Sequence, residues 1–125
     1  MAVFPKSERL SSNYLIQEVF GKDAKRVGKY PLVFVFKYLP HQEGKSIEVL
    51  FSVPKRKFGK AVARNLLKRR LREIYRIHRP NMEACLKPDL KLLLAVIYIG
   101  AEVFPSNILT KSFINNYEQL IKSYK

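Results

Sequence analysis

The chain has 125 residues, 47% of them hydrophobic, and its 24 Lys and Arg outnumber 10 Asp and Glu for a formal net charge of +14. That length and apolar content suit a single domain (residues 1–125) with its own core, and they exclude a disordered chain. One cysteine rules out a disulfide framework or a thiolate zinc site within the chain.

In chain order, residues 1–10 carry no period and read as an extended arm. Ser11, Ser12 and Asn13 offer helix caps before Tyr14–Phe20, where Ile16, Val19 and Phe20 recur at helical spacing until Gly21 closes a short helix. Residues 21–29, GKDAKRVGK, read as a polar loop. Tyr30–Tyr38 alternates as a strand, with Leu32, Phe34 and Phe36 on one face and Val33 and Val35 on the other. Residues 40–44 read as a hairpin-like connection. A second strand, Ile47–Val53, puts Ile47, Val49, Phe51 and Val53 on one face.

Residues 53–79, VPKRKFGKAVARNLLKRRLREIYRIHR, dominate the chain. Eleven of the 24 bases lie between Lys55 and Arg79 against one acid, Glu73, leaving 13 bases and 9 acids elsewhere. From Gly59 to Pro80 good helix formers run without a breaker, and Pro80 is expected to stop the helix. At 100° per residue, Ala63, Leu67, Leu71, Ile74 and His78 fall on one side, with Leu66 and Tyr75 at its borders. Arg64, Asn65, Lys68, Arg69, Arg72 and Arg76 fill the opposite arc. Solvated helices usually intersperse acids among bases; like charges four residues apart cost a few tenths of a kcal/mol per pair. A polyanion offsets that cost, so the arc reads as a nucleic-acid surface.

Residues 80–88 leave room for a further helical turn. Leu90–Ile99 reads as a buried strand, and a helix starting at Pro105-Ser106 carries Ile108, Leu109, Phe113, Ile114, Tyr117, Leu120 and Ile121 roughly along one side. The expected architecture is α+β in the order α-β-β-α-β-α, a central sheet packed by helices. Cys85 reads as a small apolar filler in a reducing compartment, and His41 and His78 are too isolated to form a metal or catalytic pair.

The string Ala61-Val62-x-Arg64-Asn65-x-x-Lys68-Arg69-x-x-Arg72-Glu73 resembles the signature of the bacterial ribonuclease P protein component. The family motif is Arg-Asn-Arg on a long helix, preceded by a strand and a basic loop ending in Gly. Leu66 stands where the family has its second Arg, and the loop reads Pro54-Lys55-Arg56-Lys57-Phe58-Gly59 where many members have Ser and two Lys. The resemblance extends over nearly the whole chain. It implies that the long helix joins two parallel strands by a left-handed crossover, against the general right-handed rule.

No Gly-x-Ser-x-Gly, His-x-x-x-His or carboxylate pair supplies a catalytic set, so the side chains read as a binding surface. The resemblance implies an endoribonuclease, and hence a hydrolase, that removes 5′ leaders from precursor tRNA. Its RNA subunit carries the active site and the catalytic Mg²⁺, so no cofactor is expected on a protein motif. By that logic Arg64, Asn65, Lys68, Arg69 and Arg72 face RNA from the helix, and Lys55, Arg56 and Lys57 extend the surface from the loop. Phe20, Phe34 and Phe36 are candidates for stacking on the single-stranded leader in a cleft between the sheet and the first helix, with packing into the core as the alternative for the same rings. Ile16 stands where relatives often have an aromatic. The partners implied are ribonuclease P RNA and the precursor tRNA leader, bound by a monomer in a 1:1 ribonucleoprotein.

A structural RNA-binding protein without a processing role shares the charge pattern, but it would not prefer leader-bearing tRNA. A DNA-binding module ranks lower because no recognition turn or dimer element is signalled. Attraction to anionic membranes ranks lower because the helix lacks an aromatic lipid face. An independent nuclease would cleave without an RNA subunit. With no apolar run near 18 residues and no secretory leader pattern, a soluble cytoplasmic protein is expected.

Overall fold

The two alternating segments and the apolar run at 90–98 pair into one sheet, and the long helix lies across it. The computed structural model describes residues 19–21, 23–40, 46–55, 58–87 and 89–124. Strands β1 (Lys25–Lys29), β2 (Leu32–Pro40) and β3 (Ile47–Ser52) precede helix α1 (Ala61–Cys85), strand β4 (Leu90–Tyr98) and helix α2 (Ser106–Tyr124). The sheet order is β1-β2-β4-β3. β2 runs antiparallel to both β1 and β4, and β3 runs parallel to β4. The chain is therefore α+β, as expected, and α1 is the crossover between two neighbouring parallel strands.

The alternation in β2 sorts its side chains to two cores. Leu32, Phe34 and Phe36 join Ile47, Val49, Phe51, Leu92, Leu94 and Val96 beneath the two helices. Val35 packs with Val19, Leu93 and Ala95 on the opposite face. Leu67, Leu71, Ile74, Tyr75 and Met82 are the buried stripe of α1. From α2, Leu109, Phe113 and Leu120 enter the same core, whereas Ile108 is exposed.

Three expectations change. Residues 25–29 form a strand and not a loop, so the described order is β-β-β-α-β-α. Among the described strands this edge strand pairs only with β2, and Val27 alone among its side chains packs against the core, which is why its sequence is so polar. Pro80 lies inside α1 instead of ending it. An interior proline forfeits a backbone hydrogen bond at roughly 3 kcal/mol, but the extra turn buries Met82 to 1% exposure and half-buries Leu86. Cys85 is exposed, with its Sγ 3.5 Å from the Tyr117 hydroxyl, so it fills no core space. The expected arm at 1–10, most of the helix at 14–20 and the hairpin-like connection with His41 lie outside the described residues.

Polar contacts fix where α2 starts and how it lies. Tyr98, fully buried, donates its hydroxyl proton to the Glu102 carbonyl and accepts from the Phe104 amide at 3.1 Å. A Cβ on Gly100 would meet the Tyr98 ring at 2.9 Å, so this wrap requires glycine. Farther along, Ser112 Oγ and Asn116 Nδ2 both donate to the Lys29 carbonyl, clamping α2 to the β1–β2 turn.

Candidate nucleic-acid interface

The basic loop leaves β3 at Val53, which is buried. Phe58 then turns inward, its ring 5.6 Å from that of Tyr98 in an edge-on contact. With Val53 and Phe58 as anchors, Lys55 between them is exposed. Arg56 and Lys57 lie outside the described residues.

α1 begins at Lys60 with no side-chain cap and no acid in its first turn. Helices commonly place Asp or Glu there to answer the partial positive charge of the free N–H groups. Here that end of the helix remains electropositive, with Lys60 at its cap and Arg64 just inside it. An anion supplied from outside would answer it.

Along the helix, the buried stripe orients the opposite arc outward. Asn65, Arg69 and Arg72 are exposed; Arg64 and Lys68 are half-buried, consistent with long stems lying along the helix and charged heads in water. Arg64, Lys68 and Arg72 follow at steps of about 6 Å, four residues at the rise of an α-helix. Among the described residues, no ion pair engages Arg64, Lys68, Arg69 or Arg72.

Two other cations of the run have different tasks. Arg76 grips Glu73 through two hydrogen bonds, of 2.6 and 3.2 Å. That contact holds the Glu73 carboxyl below its usual range and raises the guanidinium of Arg76. Arg76, placed in the cationic arc by its spacing, is thus neutralised by the chain's own acid. Arg70 donates to the Phe104 carbonyl at 2.8 Å and ties α1 to the segment before α2. His78 sits on the apolar side as its spacing predicts, its Nδ1 2.8 Å from the Ile74 carbonyl oxygen and its ring 5.7 Å from that of Phe113.

The aromatic candidates divide. Phe20 is 48% exposed, directly after the buried Val19 on the far face of the sheet. Phe34 and Phe36 are fully buried on the helix side, Phe34 in an edge-on contact with Phe113 at 5.1 Å and Phe36 with Tyr38 at 5.8 Å. No base can reach those rings, and their assignment to a leader cleft is corrected. Alternation explains the error: both faces of β2 are apolar, and the aromatic one faces the helices. The far face carries instead Val33, Val35 and Lys37 from β2, with Arg26 of β1 opposite Val35. Arg26 is placed on this face by a segment that reads as a loop, because Lys25, Arg26, Gly28 and Lys29 around a single Val27 carry no strand signal.

Fold and site together define a small α+β protein whose long cationic helix bridges adjacent strands of one sheet. The chain belongs to the ribonuclease P protein family: the family model described as Ribonuclease P matches residues 4–121. It is 39% identical over 93 residues to the ribonuclease P protein component of Dictyoglomus turgidum, covering 74% of this chain and 71% of that one. Against the protein component of Chlorobium phaeobacteroides the identity is 36% over 112 residues, covering 81% and 75%. The solved RNase P protein of Staphylococcus aureus superposes with a TM-score of 0.69 at 22% identity, over 92% of this chain and 96% of that one. That of Thermotoga maritima gives 0.59 at 23%, over 90% and 96%. These two likenesses establish the shared fold.

Proposed function

We propose that this chain is the protein subunit of ribonuclease P, binding the catalytic RNA and the 5′ leader of precursor tRNA during tRNA 5′ maturation. The observation that carries the reading is the strip Arg64, Lys68, Arg69 and Arg72, which among the described residues has no acidic partner, on a helix held rigid by its buried side. Guanidinium groups take phosphate oxygens in pairs, while Lys acts as a mobile point charge. Asn65 can donate and accept beside them, Lys55 adds an exposed cation before the helix, and the family resemblance extends the same role to Arg56 and Lys57.

In this reading the RNA holds the catalytic Mg²⁺ and cleaves the phosphodiester. Among the described residues no three His, Cys, Asp or Glu side chains gather to hold a metal. The protein's work is to offset phosphate repulsion between two RNAs and to seat the leader. The leader would lie on the far face of the sheet, where exposed Phe20 offers a ring to stack on and Arg26 a phosphate contact. No helix among the described residues is long and apolar enough to cross a membrane; a cytoplasmic monomer in a 1:1 ribonucleoprotein fits the charge distribution.

Reconstitution with a bacterial ribonuclease P RNA and a precursor tRNA at low Mg²⁺ tests the proposal. Adding the protein should raise correct 5′ cleavage, and leader-bearing tRNA should bind more tightly than mature tRNA. No stimulation, or cleavage by the protein without the RNA, overturns it.

A further inference from the structure

Leu66 is an aliphatic residue set between Asn65 and the Lys68-Arg69 pair, and it is only half-buried. It lines a groove of ≈ 490 Å³ between α1 and the start of α2. Leu66, Ile74 and Ile77 supply the apolar wall on α1, with Ser106 and Thr110 opposite on α2. Ile77 is 57% exposed, a large aliphatic surface left to water. Arg69 belongs to two surfaces at once: it lines this groove and stands in the cationic strip. Glu73 also reaches the groove, but Arg76 holds its carboxylate, so the charge of Arg69 is not answered there.

We propose that this groove takes an unpaired nucleobase whose own phosphate pairs with Arg69, the cation of the strip that stands on the groove's side of the helix. The inference rests on the RNA-binding function above and adds to it a subsite that reads a base. Aliphatic walls cover the faces of a flat ring, and Arg69 at the edge holds the phosphate beside it. The Thr110 hydroxyl donates to the Ser106 carbonyl at 2.8 Å, which leaves its oxygen free to accept from a base N–H. A protein helix seated here would cover Arg69 and need an acid of its own to pair with it; a nucleotide brings the anion with the base.

The test compares binding of a short oligouridylate and an abasic oligomer of equal length to the full chain and to Ile77→Ser. Ile77 is exposed enough that this change leaves the fold intact. Thr110→Phe, which fills the groove from α2, is the second variant should the first unfold. Either variant should weaken oligouridylate binding about fivefold or more, leaving abasic affinity and its salt slope unchanged. Equal weakening of both oligomers, or of neither, overturns the base subsite. So does a wild-type chain that sediments as a dimer and is dissociated by Ile77→Ser, which would make the groove a self-association face. A separate Arg64, Lys68, Arg72→Glu variant that keeps full binding to ribonuclease P RNA overturns the RNA-binding function itself. Loss of binding in that variant, without base discrimination at Ile77, sinks the subsite alone.

Discussion

Asn116 on α2 donates from Nδ2 to the carbonyl of Lys29 at 3.3 Å, joining residues 87 positions apart in the chain. The same amide reaches the Leu32 carbonyl at 3.4 Å and the Ser112 carbonyl at 2.9 Å, and the side chain is fully buried. Asn116→Ala leaves these buried acceptors short of a donor and should lower stability by about 1–3 kcal/mol. Asn116→Asp should cost more at neutral pH, because a carboxylate has no proton to offer three carbonyls, and should recover partly in acid. Urea unfolding followed by circular dichroism measures both; equal midpoints for wild type and Asn116→Ala would show that the clamp contributes nothing.

Phe34 and Phe20 should separate structure from recognition. Removing the fully buried ring of Phe34 leaves a cavity beneath α2, and Phe34→Ala should cost about 3–5 kcal/mol. Phe20→Ala, at an exposed site, should stay within about 0.5 kcal/mol of wild type and selectively weaken leader-bearing precursor tRNA. Thermal unfolding and a paired binding assay with mature tRNA check this. Equal loss for both RNAs with Phe20→Ala would remove Phe20 from the leader site.

Cations within one run should respond differently. Arg64, Lys68, Arg72→Glu should weaken binding to ribonuclease P RNA without unfolding the chain. Each lost phosphate contact should flatten the slope of log affinity against log salt by about 0.7–0.9. Arg70→Met loses the bond to the Phe104 carbonyl and should lower the melting temperature with the salt slope unchanged. If Arg70→Met flattens the slope as much as the triple change, the division between fold-holding and RNA-facing cations is wrong.

Alkaline pH should weaken the α1–α2 junction through Tyr117. Burial, and then the hydrogen bond with Cys85, push the Tyr117 phenol up to about 12 from its ordinary 10.0. A raised folded pKa means that the neutral phenol supports the fold. Its contribution is intact below about pH 10 and is lost as pH rises toward 12. Tyr98, raised mainly by burial, adds to the same decline. Denaturant midpoints above pH 10 should fall less steeply in Tyr117→Phe than in wild type; parallel curves would place the alkaline sensitivity elsewhere.

Much of this fold can be read from period and punctuation. The alternation of Leu32, Phe34 and Phe36 against Val33 and Val35 marks a strand with two covered faces, and the 3.6-residue spacing of Leu67, Leu71 and Ile74 marks the buried side of α1. Alternation alone cannot tell which face meets the helices, and that is how Phe34 and Phe36 come to be assigned to the wrong side. Lys25–Lys29 escapes because an edge strand bathed in water needs no hydrophobic pattern. Pro80 misleads because local helix propensity opposes it, while the burial of Met82, a tertiary effect, overrides that preference. The pairing of Glu73 with Arg76 is visible as an i,i+3 spacing, whereas the bond from Arg70 to Phe104 depends on a loop that only the folded chain brings near.

β4 is the last strand to leave the ribosome, yet it occupies an interior place in the sheet, between β2 and β3. Until Leu90–Tyr98 has emerged and slotted in, β3 has no neighbour and α1 has no complete floor to lie on. The chain should therefore complete the support that fixes the cationic face of α1 only late in synthesis.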